Sequence, residues 1–172
     1  PRYFVKYWFH NGFVIVDGEK MSKSIGNIKL VHNLINNYHG EVLRLTLLSA
    51  HYRQPLNWTV NSINQNNAML ERLYRGVKEL NKIEAGSEEY GVPDNIMEAL
   101  CDDLNTPKAL AELNLLSNNI STASENEKKK IKGEILSTGK LIGILQNNPE
   151  KWLGYGYSES LESKTIENLI KK

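Results

Sequence analysis

Residues 17–27 read D-G-E-K-M-S-K-S-I-G-N, and the expected organisation of the chain follows from this stretch. Lys20, Ser22, Lys23 and Ser24 lie within five residues, between a turn-prone Asp-Gly and a Gly-Asn. Two ammonium groups and two hydroxyls on one loop suit a phosphate group, with backbone N–H groups completing the site. Composition alone leaves a second interpretation open, a solvated basic turn.

The segments on either side of this loop predict a change from strand to helix. Residues 1–16 are aromatic-rich and fit either a strand or a helical tail, but the apolar run 13–16 predicts a short buried strand. After the loop, one helical face carries apolar residues, and Gly40 is placed to end that helix. The helix start would bring a positive dipole end near a bound phosphate. The residues of this face are Val31, Leu34, Ile35 and Tyr38.

From Leu30 onward the sequence predicts an antiparallel helical bundle. Residues 41–50 are apolar almost all round and predict a buried helix, although alternating leucines keep a strand possible. Arg44 is interpreted as the one charge on that segment, paired or directed at a ligand. Residues 51–58 predict a loop, because Pro55 blocks regular structure.

Thr59 is a plausible N-cap for a long helix reaching about Lys82. Its opposite face is basic, with Arg72, Arg75 and Lys78, and simple solvation is the slightly preferred interpretation of that face. Its apolar stripe consists of Ile63, Leu70, Leu73, Tyr74, Val77 and Leu80.

Three more helices and two linkers are expected in the second half. Residues 84–91 predict a linker, and helices are expected to start at Pro93, at the Asn105-Thr106-Pro107 cap and at about Glu125. Asn148-Pro149 should stop the last of them. Residues 154–165 predict a second linker before a short amphipathic segment. The expected apolar positions are Ile96, Met97, Leu100 and Leu104, then Leu110, Leu113, Leu116 and Ile120, then Ile131, Ile135, Ile142 and Leu145, with Ile166, Leu169 and Ile170 in the last segment.

Two further expectations concern glycines and lysines of the last long helix. Gly133, Gly139 and Gly143 weaken it by roughly 1 kcal/mol each relative to Ala, so we expect them to allow close helix–helix approach. The run 128–130 of three lysines predicts a solvated face.

Composition sets the class of protein. Of 172 residues, 40% are hydrophobic and 24% charged, as in soluble globular proteins, and no apolar run could span a bilayer. The net charge of +1 divides into a basic first half and an acidic second half. Cys101 is the one cysteine, so no internal disulfide forms, and its helical neighbours predict a buried thiol. The start, without Met or signal peptide, suggests a fragment.

Four ordered blocks resemble one protein family. Residues 20–24, K-M-S-K-S, match the KMSKS signature of class I aminoacyl-tRNA synthetases at all five positions. Their flanks over residues 10–27, together with L-L-S-A-H-Y-R-Q-P-L-N-W from Leu47, A-M-L-E-R-L-Y from Ala68 and D-D-L-N-T-P-K-A-L from Asp102, resemble bacterial-type cysteinyl-tRNA synthetases.

This resemblance implies a mainly α fold. An antiparallel helical bundle would follow a short α/β remnant of a class I, Rossmann-type catalytic domain. The expected divisions are the end of the catalytic domain with its loop (1–27), a connecting helical segment (28–60), an anticodon-binding-like bundle (61–153) and a linker with a truncated C-terminal segment (154–172).

The resemblance also implies a reaction and its residues. Such enzymes activate cysteine with ATP and Mg²⁺ and transfer it to tRNA(Cys). Lys20 and Lys23 would be catalytic, stabilising charge on the departing pyrophosphate, with Lys23 the more important. The ATP-binding residues would be Lys20, Met21, Ser22, Lys23, Ser24 and Gly26. The tRNA-binding residues would be Arg44, Arg53, Arg72 and Arg75.

Parts of the family's machinery have no counterpart in these residues. The HIGH-type element is missing, and the family's zinc ligands would lie upstream of Pro1. The four histidines, His10, His32, His39 and His51, show no metal-ligand spacing and are interpreted as structural or exposed. We therefore expect no metal ligands here and an inactive isolated fragment. We also expect no membrane partner, a cytoplasmic location and a monomer.

Two alternatives remain. One is the ATP-dependent cysteine ligase of mycothiol biosynthesis, which shares the loop signature but aminoacylates an amino sugar; the long helical region favours the tRNA enzyme. The other is a non-catalytic helical module that binds RNA or protein and retains an inert loop.

Overall fold

A small three-stranded sheet begins the fold. The computed structural model describes residues 4–84 and 89–158. Strands β1 (Val14–Val16) and β2 (Glu19–Lys20) form an antiparallel hairpin, and β3 (Leu56–Trp58) lies on the other side of β1, parallel to it. The expected strand is confirmed at β1, although of its residues only Val16 is fully buried and Phe13, before it, is exposed.

The prediction that residues 51–58 form only a loop was wrong. Pro55 lies just before β3, where its missing N–H costs the ladder nothing, and Leu56 N–H then donates to the Phe13 carbonyl at 2.9 Å. Trp58 pairs with Val16, and both side chains are buried. A parallel partner this far along the chain leaves no local sequence pattern.

The region after the loop differs from the expected single helix. Helix α1 (Val31–Leu34) is one turn long, and Gly40 starts α2 (Gly40–Leu48) instead of ending α1. The His39 side chain accepts a hydrogen bond from Glu41 N–H, which caps α2. Because α1 is so short and starts four residues beyond Asn27, the expected dipole contribution at the loop is small.

Helix α3 (Val60–Glu79) has the expected start and face. Thr59 and Ser62 form a capping box, and a 3₁₀ turn over Leu80–Lys82 extends the helix to the expected end. All six residues of its predicted apolar stripe are buried. This helix packs against α2, α5 and α7, so it is the centre of the bundle.

Helices α4 (Asp94–Cys101) and α5 (Thr106–Asn118) form a hairpin, and a 3₁₀ turn over Asn119–Ser121 follows α5. Asn105 caps α5 as expected, with Pro107 in its first turn. The predicted core face of α4 was partly wrong. Met97 and Leu104 are exposed, and Cys101, expected to be a buried thiol, is exposed too. The short helix turns Ile96 and Ala99 inward, which leaves Met97 and Cys101 on its solvent side, whereas Leu104 lies beyond its end in the turn before α5.

Helix α6 (Glu125–Ile142) ends at Gly143, not at Asn148-Pro149. Gly143 adopts φ 74°, the left-handed C-cap conformation that glycine tolerates best. Pro149 instead begins α7 (Pro149–Ser158), with Asn148 accepting from the Glu150 amide. The linker predicted from residue 154 is therefore helical through residue 158, and its remainder, like the segment 166–170, lies outside the described residues.

Gly133 and Gly139 of α6 allow close approach to loops, whereas Gly143 at its C-cap allows close approach of α2, since a Cβ there would lie 2.7 Å from Arg44 Nε. A Cβ on Gly133 would collide with the Tyr90 ring, and one on Gly139 would lie 2.9 Å from the Ile144 carbonyl oxygen. Lys129 and Lys130 of the expected solvated face pair with Glu89 and Glu134. Tyr90 and Glu89 belong to the predicted linker, which is therefore packed against α6 where the structure describes it.

A buried carboxylate connects the start of the bundle with its end. Glu41, on α2, is only 8% exposed. It accepts hydrogen bonds from the Tyr74 hydroxyl, from the Leu145 and Gln146 amides and from the Asn147 side-chain amide, at 2.6–3.0 Å. We call these five residues the Glu41 hub. Tyr74 also stacks on Trp152 of α7, at 4.6 Å between ring centroids, so α2, α3 and α7 meet here.

Candidate active-site loop and basic surfaces

A hairpin places the loop. Asp17 and Gly18 both have positive φ, 50° and 83°, so they form the tight turn that Asp-Gly predicts. The Gly18 amide donates to the Asn57 side chain at 3.0 Å, which ties the turn to β3. Strand β2 ends at Lys20, and its pairing with Ile15 fixes the first lysine on the sheet.

The loop beyond Lys20 is held by short-range hydrogen bonds. Ser22 and Ser24 hydroxyls lie 3.1 Å apart, and the Ile25 amide donates to Ser22 Oγ at 3.3 Å. The Gly26 amide closes a turn onto the Lys23 carbonyl at 3.2 Å, and Gly26 has φ 71°. The expected roles of the serines as loop supports and of Gly26 as a turn residue thus have a geometric basis.

The two lysines present unneutralised charge. Lys20 and Lys23 are exposed, and neither makes an ion pair with any residue that the structure describes. Met21, between them, is half-buried and packs against the core. The loop can therefore present two ammonium groups to an anion while the Met21 side chain anchors it.

Of the four arginines predicted to bind nucleic acid, Arg72 and Arg75 line one groove, whereas Arg44 and Arg53 are bound to other partners. Arg44 Nε donates to the Ile142 carbonyl at 2.6 Å, at the C-terminus of α6, where a cation is favoured by the helix dipole. Arg75 pairs with Glu71 one turn away on α3. Arg53 is bound to Asp103. Arg72 makes no hydrogen bond or ion pair with the described residues and lines a groove between α3 and α5.

Asp103 joins the loop after α2 to the turn between α4 and α5. It accepts two hydrogen bonds from the Arg53 guanidinium, at 2.6 and 3.0 Å, and one from the Tyr52 hydroxyl at 2.5 Å. These bonds lower the pKa of Asp103 to about 2, and those from Arg53 contribute most. We call the three residues the Asp103 latch. It occupies Arg53, which is less available to a phosphate than expected.

Sequence reasoning overlooked Glu41, Asp103 and the bonds of Asn27. Arg44 is not the one charge of its segment, because the Glu41 carboxylate begins it and is buried. An acid at the start of an apolar segment was the available signal. Asn27 flanks the loop in the sequence, but its side-chain bonds to Lys20 and Ser22 leave no trace in composition.

Neither a cluster of metal ligands nor a membrane-spanning helix occurs among the described residues. Within residues 4–84 and 89–158, no three His, Cys, Asp or Glu side chains lie close enough together to hold a metal ion. His10 stacks on Trp8, and His39 packs edge-on against Trp152. Among the helices described, none has the length and apolarity that crossing a bilayer requires.

Comparison with protein families identifies the class. Residues 2–68 match the family "tRNA synthetases class I (C) catalytic domain", and residues 95–146 match the DALR domain. The first match covers the hairpin, the lysine loop and the start of α3, and the second covers α4 to α6. The chain thus combines a segment of a class I tRNA synthetase catalytic domain with a DALR domain.

The curated relatives that match the chain are cysteine–tRNA ligases. The chain is 45% identical to a cysteine–tRNA ligase of Rhodospirillum rubrum over 99% of its own length and 37% of that protein. It is 46% identical to one from Maricaulis maris, over 95% of the chain and 35% of the relative. A third, from Parvibaculum lavamentivorans, is 44% identical over 96% and 36%. The chain thus spans a little more than a third of the relatives it matches.

Proposed function

We propose that this chain is the part of a cysteine–tRNA ligase that supplies the KMSKS loop and tRNA-binding helices. The intact protein would use ATP with Mg²⁺ to activate cysteine and would transfer it to tRNA(Cys) in the cytoplasm, as a monomer. The observation that carries the proposal is the lysine loop: K-M-S-K-S begins at the last residue of β2, and both of its ammonium groups are exposed and unpaired within the described residues.

The loop residues would act in the activation step. As cysteine's carboxylate attacks the α-phosphate of ATP, negative charge builds on the departing pyrophosphate oxygens. Lys23 and Lys20 would stabilise that charge, because their ammonium groups can donate hydrogen bonds to those oxygens. Met21 would anchor the loop, Ser22 and Ser24 would hold its turn, and Gly26 would return the chain toward α1.

Zinc, expected in the intact enzyme, has no step in this proposal. The described residues hold no group of side chains suited to it. Its ligands are proposed to lie upstream of this sequence.

Arg72 is the strongest candidate among the four proposed tRNA contacts. It lies beside Asn66, Met69 and Asn114 in the groove between α3 and α5, with no acidic partner within the described residues. Arg44, Arg53 and Arg75 could contact phosphates only while keeping or exchanging their present partners. Residues 61–153 would form the anticodon-binding-like unit, and residues 28–60 its connection to residues 1–27. Helix α7 extends that unit through Ser158.

Cysteine-dependent ATP–pyrophosphate exchange by the full-length protein tests the enzyme proposal. Lys23→Ala should lower the rate by about 10²–10³-fold, because a donor to the transition state is lost. Lys29→Ala, which removes an exposed lysine just beyond the loop, is the matched control and should change the rate little. Absence of exchange with cysteine in the folded protein would refute the proposal and favour a non-catalytic helical module.

Aminoacylation of tRNA(Cys) distinguishes the remaining alternatives. Transfer to tRNA supports the synthetase, whereas transfer only to an amino sugar supports the mycothiol-type ligase. Residues 1–172 alone should show no cysteine activation. Arg72→Ala should weaken tRNA binding and reduce its salt dependence by about one phosphate contact, with Lys151→Ala, at an exposed lysine of α7, as the control.

A further inference from the structure

The Asn27 side chain forms hydrogen bonds with the backbone on both sides of Met21. Its Oδ1 accepts from the Ser22 amide at 2.9 Å, and its Nδ2 donates to the Lys20 carbonyl at 3.3 Å. An asparagine is needed for both bonds, because its amide carries an acceptor and a donor on one planar group. One side chain thus fixes the backbone on both sides of Met21 and closes the loop on itself.

This closure divides the lysine loop into two parts. On one side, Lys20 is held by its strand pairing, and Met21 is held by the core and by Asn27. On the other side, Lys23 and Ser24 are exposed, and their turn is held only by contacts among residues 22–26. The first lysine therefore stands on a fixed base, and the second stands on a segment that can adjust to a phosphate.

We propose that Asn27 is a positioning residue for the activation reaction. It holds the Lys20–Ser22 backbone so that Lys23 moves from a defined starting point toward the departing pyrophosphate. Asn27 does not itself touch substrate in this proposal. The inference rests on the proposed function, because the lysines matter for rate only if the protein activates an amino acid with ATP.

Pyrophosphate exchange by the full-length protein gives the first measurement. Asn27→Ala removes both bonds and should lower kcat roughly tenfold, since misplacement of the loop affects the transition state. The KM for cysteine should stay unchanged. Asn27→Asp keeps the acceptor for the Ser22 amide and loses the donor to Lys20, so it should recover part of the rate.

Trypsin cleavage gives a measurement independent of activity, because Lys20 and Lys23 are themselves cleavage sites. The initial rate of cleavage after each lysine, quantified by mass spectrometry, should rise several-fold in Asn27→Ala. Asn37→Ala is the matched control: it removes an exposed asparagine bond to the Asn33 carbonyl outside the loop and should change neither measurement.

The two measurements separate the possible failures. Unchanged tryptic cleavage in Asn27→Ala would overturn the closure by Asn27, whatever the activity of the unsubstituted protein. Faster cleavage with unchanged kcat would overturn the positioning role. No exchange by the unsubstituted protein would instead overturn the proposed function.

Discussion

Asn27 in the lysine loop and Glu41 in the Glu41 hub play the same structural role, one at the surface and one in the interior. In each, one side chain binds backbone amides or carbonyls of a segment without regular structure. Asn27 reaches groups five and seven residues away on a surface loop, through one part-buried and one exposed bond. Glu41 reaches groups 33 to 106 residues away, in the interior.

The difference shows where such bonds stabilise the fold and where they only fix the local geometry of a loop. At an exposed loop, water replaces a lost hydrogen bond, so the fold hardly depends on it. In the interior, a donor left without its acceptor bears the full cost of desolvation. The Glu41 hub should therefore control stability, and the Asn27 closure should control only local geometry.

The largest expected effect is that of Glu41→Ala. It leaves four donors without their buried acceptor and should lower the free energy of unfolding by about 3–5 kcal/mol. Urea unfolding of the full-length protein, followed by circular dichroism, measures this. Glu41→Gln keeps one acceptor oxygen and should cost clearly less. Equal, small losses for both variants would contradict the comparison.

A smaller effect is expected from Tyr74→Phe. The hydroxyl donates to Glu41 and accepts from the Asn147 amide at 3.0 Å, while the ring stacking on Trp152 is retained. Burial raises the pKa of Tyr74, so the hydroxyl keeps its proton at neutral pH. The loss should be about 1–2 kcal/mol by urea unfolding. In a Glu41→Ala background the same change should cost less, because the two residues share one network.

The Asp103 latch allows the effect of burial on stability to be distinguished from the effect of sequence separation. Its bonds join residues about 50 positions apart, yet they are exposed. The pKa of Asp103 is lowered from 3.8 to about 2, so the latch stabilises the fold above pH 3.8, and this contribution disappears as the pH falls toward 2. Asp103→Asn should remove that pH dependence and cost less than Tyr74→Phe. Unfolding midpoints of both proteins across this pH range test it, and a larger loss would show that chain separation matters more than burial.

The smallest effect on stability should come from Asn27→Ala. Because water can replace both of its bonds, the free energy of unfolding should change by less than about 0.5 kcal/mol. Thermal unfolding measures this, with Asn37→Ala again as the reference. A loss comparable to that of Tyr74→Phe would remove the distinction between position and stability.

The sequence predicts those parts of the fold that local chemistry decides. Helix α3 follows from the Thr59 cap and six apolar positions at helical spacing. Strand β3 was missed because its three residues are specified by β1, far earlier in the chain. The end of α6 was misplaced because a left-handed glycine at residue 143 stops a helix before a later proline can.

The candidate site divides in the same way. The lysines and serines of the loop could be chosen from sequence, because their chemistry is local. Arg44 and Arg53 could not be judged, since their partners, the Ile142 carbonyl and Asp103, lie 98 and 50 residues away. Cys101 was misassigned because helical spacing gives neighbours but not which side of a short helix faces the core.

The Glu41 hub also sets an order of events during synthesis. Glu41 and Tyr74 leave the ribosome well before residues 145–147, which supply three of the four donors to the carboxylate. Until those residues emerge, docking α2 on α3 would bury a carboxylate with only one donor, the Tyr74 hydroxyl. The nascent chain therefore gains little by docking α2 on α3 before the loop between α6 and α7 has been synthesised.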